Sequence, residues 1–87
     1  MWTVNVPRRA LRAVARAPRR DVERIFAALE EMRLDPHRGD VVPLQQQQAA
    51  WRRRVGDWRI FFDLDPNRRL VEVVAIERRT STTYRRR

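Results

Sequence analysis

The chain has 87 residues, enough for one compact domain and too few for two. It holds no cysteine, which excludes a disulfide framework and a thiolate metal site. No apolar run approaches a membrane span, and the first residues lack the apolar core of a signal peptide, so no membrane contact and a cytoplasmic location are expected. The formal charge is +9 and all 20 basic residues are arginine, a sign excess that points to a polyanion or an acidic protein partner.

Residues Trp2 to Val6 alternate and read as an opening strand. Pro7 ends it and suits the first turn of a helix. Residues 8 to 17 are rich in helix formers and place Leu11, Val14 and Ala15 on one face. Pro18 breaks that helix. A second runs from about Arg20 to Leu34, with Val22, Ile25, Phe26, Leu29 and Met32 at helical spacing. The turn residues DPHRGD follow, and VVPLQQQQAA, residues 41 to 50, reads as loop or irregular edge. Three strand-like runs close the pattern: Trp51 to Val55, Trp58 to Asp63 and Leu70 to Arg79. The order β-α-α-β-β-β predicts a single α+β domain over residues 1–87, a small antiparallel sheet with a helical hairpin on one face.

Gly56-Asp57 is a two-residue connection with glycine first, as a type II′ hairpin requires. That turn sets Val55 opposite Trp58, Arg54 opposite Arg59, Arg53 opposite Ile60 and Arg52 opposite Phe61. Trp51, Arg53, Val55, Trp58, Ile60 and Phe62 then face the helices. Arg52, Arg54, Arg59 and Phe61 face away. Carried across DPNR as a four-residue loop, the register adds Val71, Val73 and Ala75 to the core side. Glu72, Val74, Ile76 and Arg78 go to the open side. Arg53 falls on the core side and must snorkel to an edge or find a carboxylate. Opposed like charges such as Arg54 and Arg59 are destabilising unless an anion offsets them. Guanidinium forks beside Phe61, with Tyr84 arriving from the tail, suit a phosphate and a stacked base.

Strand, helical hairpin, a DP turn, WRRRVGDWRIFF and a close on ERRTSTTY together resemble the RelE/ParE toxin superfamily of bacterial toxin–antitoxin modules. The resemblance spans Trp2 to Tyr84, and RVGDWR is its most specific piece. It implies a toxin held by a cognate antitoxin whose acidic, partly disordered segment folds on binding. RelE-like members are ribosome-dependent endoribonucleases that cut mRNA, whereas ParE-like members share the fold, poison DNA gyrase and lack the catalytic set. An inactivated member that only binds its antitoxin is a third alternative. The nuclease branch implies a catalytic set at Arg52, Arg54, Arg59, Arg79 (or its neighbour Arg78) and Tyr84. Arg78, Phe61 and the terminal Arg85, Arg86 and Arg87 would add RNA contacts.

The implied reaction is attack of a ribose 2′-OH on the adjacent phosphate, with arginines stabilising the charge that develops there. No cofactor is expected, and no metal-ligand constellation assembles. A general base is not evident, because arginine stays protonated throughout the working pH range. His37 reads as a surface turn residue. Glu77 and Asp57 are nearer the arginines, though Asp57 already has a turn to form.

Overall fold

The computed structural model describes residues 1–45 and 49–79. Its elements in chain order are β1 (Thr3–Asn5), α1 (Arg8–Ala15), α2 (Arg19–Leu34), β2 (Asp40–Pro43), β3 (Trp51–Val55), β4 (Trp58–Asp65) and β5 (Leu70–Arg78). The strands form one open sheet in the order β1-β5-β4-β3-β2. Three neighbouring pairs are antiparallel, and β1 lies parallel to β5. The sheet is therefore mixed, because the last strand, reached after both helices and three further strands, lies beside the first and runs the same way. β2 lies where the sequence predicts loop or irregular edge. Val41 and Val42 suit a strand, and Pro43 is tolerated at its end because β2 is an outer strand.

Both helices cover one face. α1 buries Ala10 and Val14, and α2 buries Ile25, Ala28, Leu29 and Met32. These meet Trp58, Ile60, Phe62, Val71, Val73 and Ile76 in one core cluster. The helices are rotated from the expected faces: Leu11 and Phe26 stand exposed, and alanines take the close contacts. Small Ala10 and Ala28 let helix backbone approach the sheet, which bulkier side chains in those places would hold off. Trp58 donates its indole N–H to the Asp21 carboxylate at 3.2 Å, which ties the start of α2 to the hairpin.

The β3–β4 register is Arg54↔Arg59, Arg53↔Ile60 and Arg52↔Phe61, as the two-residue turn dictates. Gly56 takes φ 59° while Asp57 stays out of the left-handed region, the signature of type II′. The β4–β5 register departs from expectation. Phe61 pairs with Ala75 but Phe62 pairs with Val73, so Val74 is an extra, bulged residue. The carbonyl of Val74 accepts a bond from Arg9 Nη2 at 3.0 Å, which ties α1 to the bulge. Past the bulge the faces invert. Ile76 joins the core opposite Ile60, and Ala75 moves to the open face. Arg78 pairs with Trp58 on the helix-side parity, while Glu77 is opposite Arg59 on the open face.

Candidate functional site: the arginine face of the sheet

The face turned away from the helices is organised in cross-strand rows. One row runs Asp40–Arg54–Arg59–Glu77 across β2, β3, β4 and β5. The next runs Val42–Arg52–Phe61–Ala75. The opposed arginines are thus bracketed by a carboxylate at each end of their row. Arg54 Nε meets Asp40 Oδ2 at 2.9 Å, and Arg52 Nη2 stands 3.7 Å from Asp40 Oδ1. Glu77 is exposed and forms no ion pair with Arg59. The carboxylate of Asp40 therefore offsets part of the like-charge cost that the sequence alone leaves to an external anion.

Arg59 is the most constrained member. Its Nη1 donates to the carbonyls of Trp58 at 3.2 Å and Gly56 at 3.4 Å, which holds the guanidinium against the hairpin turn. Burial lowers its pKa below the ordinary arginine range. Arg52, Arg79 and Arg54 push the same way, and Asp40 opposes them. Arginine stays charged regardless, so the lowered value marks a cation that its surroundings disfavour. Arg79 belongs to the same electrostatic group, and its backbone N–H donates to the Asp57 carbonyl at 2.7 Å across the end of the hairpin.

Arg53 behaves differently. It is 8% exposed, and its Nη2 donates to Glu31 Oε1 at 2.7 Å on α2. The core-side arginine has found a carboxylate. Gly39 caps it: with φ 87°, a Cβ there would come within 2.8 Å of the Arg53 guanidinium carbon.

The structure thus gathers Arg52, Arg54, Arg59, Phe61 and Arg79 on one side of the sheet, with Arg78 starting from the other parity. Tyr84, Arg85, Arg86 and Arg87 lie outside the described residues. His37 packs edge-on to Trp51 with ring centroids 4.9 Å apart, a structural contact on the core side of β3. Asp40 was not foreseeable as a site residue without β2. The signal for it was the β-branched pair Val41-Val42 following turn glycine Gly39. Among the described residues no group of three or more acidic or histidine side chains is placed to hold a metal, and no helix is long and apolar enough to cross a membrane.

A helical hairpin on one face of a mixed, open five-stranded sheet is the architecture of the RelE/ParE toxin superfamily. Three solved structures share it. The RelE–RelB complex from the archaeon Pyrococcus horikoshii superposes with a TM-score of 0.81 at 16% identity, covering 92% of this chain and 97% of that one. The RelBE2 complex of Mycobacterium tuberculosis gives 0.76 at 21% identity over 90% and 98%. The RelBE complex of Escherichia coli gives 0.62 at 12% identity over 92% and 99%. No curated protein matches the chain by sequence. Residues 6–82 match the family model described as the ParE toxin of the type II toxin–antitoxin system parDE, and the chain belongs to that family of toxins.

Proposed function

We propose that this toxin is an endoribonuclease acting on mRNA held by the ribosome, and that the arginine face of its sheet is the active surface. The observation that carries the reading is the convergence of Arg52, Arg54, Arg59 and Arg79 on one open face beside Phe61. A phosphodiester lying on that face meets several guanidinium groups at once. In the reaction the ribose 2′-OH attacks the adjacent phosphorus, the bond to the 5′ oxygen breaks, and a cyclic phosphate and a 5′-OH result. Arg52, Arg54 and Arg59 stabilise the extra negative charge as it forms. Glu77, exposed opposite Arg59, is the carboxylate best placed to take the 2′-OH proton, since Asp40 is already engaged by Arg54. Tyr84 supplies a tail aromatic that stacks on a base or bonds the phosphate.

The antitoxin follows from the same class. Each of the three solved neighbours is a toxin–antitoxin complex. Leu11 and Phe26, 40% and 47% exposed on α1 and α2, are apolar anchors suited to an amphipathic antitoxin segment. Acidic side chains on that segment complement the +9 charge.

A second reading has one specific support, the sequence match to the ParE model. In it the same face contacts DNA gyrase and performs no chemistry. Induction of the toxin separates the readings. Transcripts cut inside coding regions support the nuclease, accumulating gyrase–DNA complexes support the inhibitor, and neither outcome leaves a chain that only binds antitoxin.

A further inference from the structure

Away from the sheet face, the strongest feature of the surface is α1. Residues 1–20 hold six arginines and no acidic residue, two-thirds of the formal net charge of +9. The neighbouring helix shows how this chain otherwise manages charge. α2 has Asp21 in its first turn, and the pairs Arg19–Glu23 at 3.5 Å and Arg33–Glu30 at 2.6 Å run along it. α1 has none of this. No acid stands in its first turn, where the helix dipole disfavours Arg8 and Arg9. Among the described residues, Arg8, Arg12 and Arg16 have no carboxylate within ion-pair distance.

Their spacing makes a stripe. At about 100° per residue, positions 8, 12 and the C-cap Arg16 advance about 40° per step around the helix, and all three point away from buried Ala10 and Val14. Each step of four residues rises about 6 Å, comparable with the separation of adjacent phosphates along a nucleic-acid strand. Arg9, held by the Val74 carbonyl, and Arg12, Ala13, Ala15 and Arg16 line an open depression of about 400 Å³ beside the stripe. Its small side chains leave room for a backbone to approach. Exposed Leu11 lies to one side of the stripe, so apolar docking does not compete for the arginines themselves.

We infer that the α1 stripe is a second nucleic-acid surface, which grips the sugar–phosphate backbone of folded RNA. Because α1 covers the core face of the sheet and Arg52, Arg54 and Arg59 lie on the other, the gripped segment is not the strand being cut. It belongs to the double-helical RNA that surrounds the substrate. The choice of RNA rests on the nuclease reading; the phosphate-binding role of α1 rests on the helix alone. An acidic peptide is the poorer fit, since the forks are evenly spaced and only the small side chains of Ala13 and Ala15 stand beside them.

The test uses the full-length chain and a blunt RNA hairpin with no single-stranded target, followed by fluorescence anisotropy over a salt series. The triple variant Arg8→Gln, Arg12→Gln, Arg16→Gln should bind the hairpin about tenfold more weakly at moderate salt, with the salt slope reduced by about 2 to 3. Its thermal melting should not fall, because it removes like-charge neighbours. Arg68→Gln, in the turn between β4 and β5 and on neither arginine surface, should bind the hairpin as the parent does. Unchanged affinity or slope in a folded triple variant overturns the inference, as does clearly tighter binding to a DNA duplex of the same sequence. Failure here is distinguishable from failure of the nuclease reading. Lost cleavage in Arg59→Ala with α1-independent hairpin binding sinks only the stripe, whereas α1-dependent binding by a chain that never cleaves RNA sinks only the nuclease.

Discussion

Asp40 and Arg54 are directly opposed across β2 and β3, and their side chains close an ion pair of 2.9 Å on the arginine face. An anion bound there must share Arg54 with a resident carboxylate. Asp40 therefore sets the affinity of the face as much as the arginines do, because it screens Arg54 and reaches Arg52 at 3.7 Å. Replacing Asp40 by Asn should tighten the binding of a short single-stranded RNA several-fold. The stability cost should stay within about 1 kcal/mol, as both partners are solvent-accessible. Titration of a labelled oligonucleotide, with melting measured in parallel, checks both halves. An unchanged affinity would show that phosphate does not lie on Arg54.

Arg59→Ala should abolish toxicity and leave the fold intact. Arg59 contributes no packing to the helix side, and burial among three like charges already disfavours its ionised form. Removing it should hold the melting temperature level or raise it slightly. Circular dichroism with a growth assay reads the two effects separately. A variant that unfolds would show that the guanidinium bonds to the Trp58 and Gly56 carbonyls hold the turn together.

Much of this site is legible from the chain itself, and the parts that are not have identifiable causes. Gly56-Asp57 allows only one short turn, and period-2 alternation then carries Arg52, Arg54 and Arg59 to one face. The apolar set Trp58, Ile60 and Phe62 confirms that parity by being buried. The Val74 bulge has no such local signature. Val73, Val74, Ala75 and Ile76 are all apolar, so nothing in their pattern reveals which residue is extra, and the exchange of Ile76 and Arg78 for Ala75 and Glu77 follows from that one insertion. β2 is short, ends in Pro43 and is followed by Leu44 and a glutamine run, so its pairing with β3 comes from tertiary contact rather than from its own four residues. Leu11 and Phe26 fit an amphipathic pattern as well as Ala10 and Ala28 do, and close packing of small residues decides between them.

Arg53 should respond in the opposite sense to Arg59. Its guanidinium is largely buried, and Glu31 is the carboxylate it meets. Arg53→Ala should lower stability more than activity, and Glu31→Gln should do so through the unpaired cation it leaves. The pair also gives the fold an acid-sensitive term. The hydrogen bond from Arg53, then its charge, hold the Glu31 pKa below the ordinary carboxylate range. A depressed carboxylate stabilises the fold above its unfolded pKa and loses that contribution as pH falls through the folded one. Denaturant unfolding between neutral pH and pH 3 should therefore show a decline that Glu31→Gln flattens. Equal acid sensitivity in the two proteins would assign the decline to other carboxylates.

A chain with a formal charge of +9 attracts an acidic segment from beyond contact distance, and that attraction is screened over about 10 Å at 0.1 M salt. Once docked, the complex is held by apolar burial, with Leu11 and Phe26 as the exposed anchors on the helical hairpin. Charge should then govern the encounter, and apolar contact the residence time. Stopped-flow mixing across a salt series should show association slowing markedly from low to high salt while dissociation changes little. Leu11→Ala and Phe26→Ala should show the complementary behaviour, faster dissociation with nearly unchanged association. If association ignores salt, the arginines are not part of the surface that the antitoxin meets first. If Leu11→Ala and Phe26→Ala leave dissociation untouched, the apolar anchors lie elsewhere, and the outer edges of β1 and β2 become the surfaces to test.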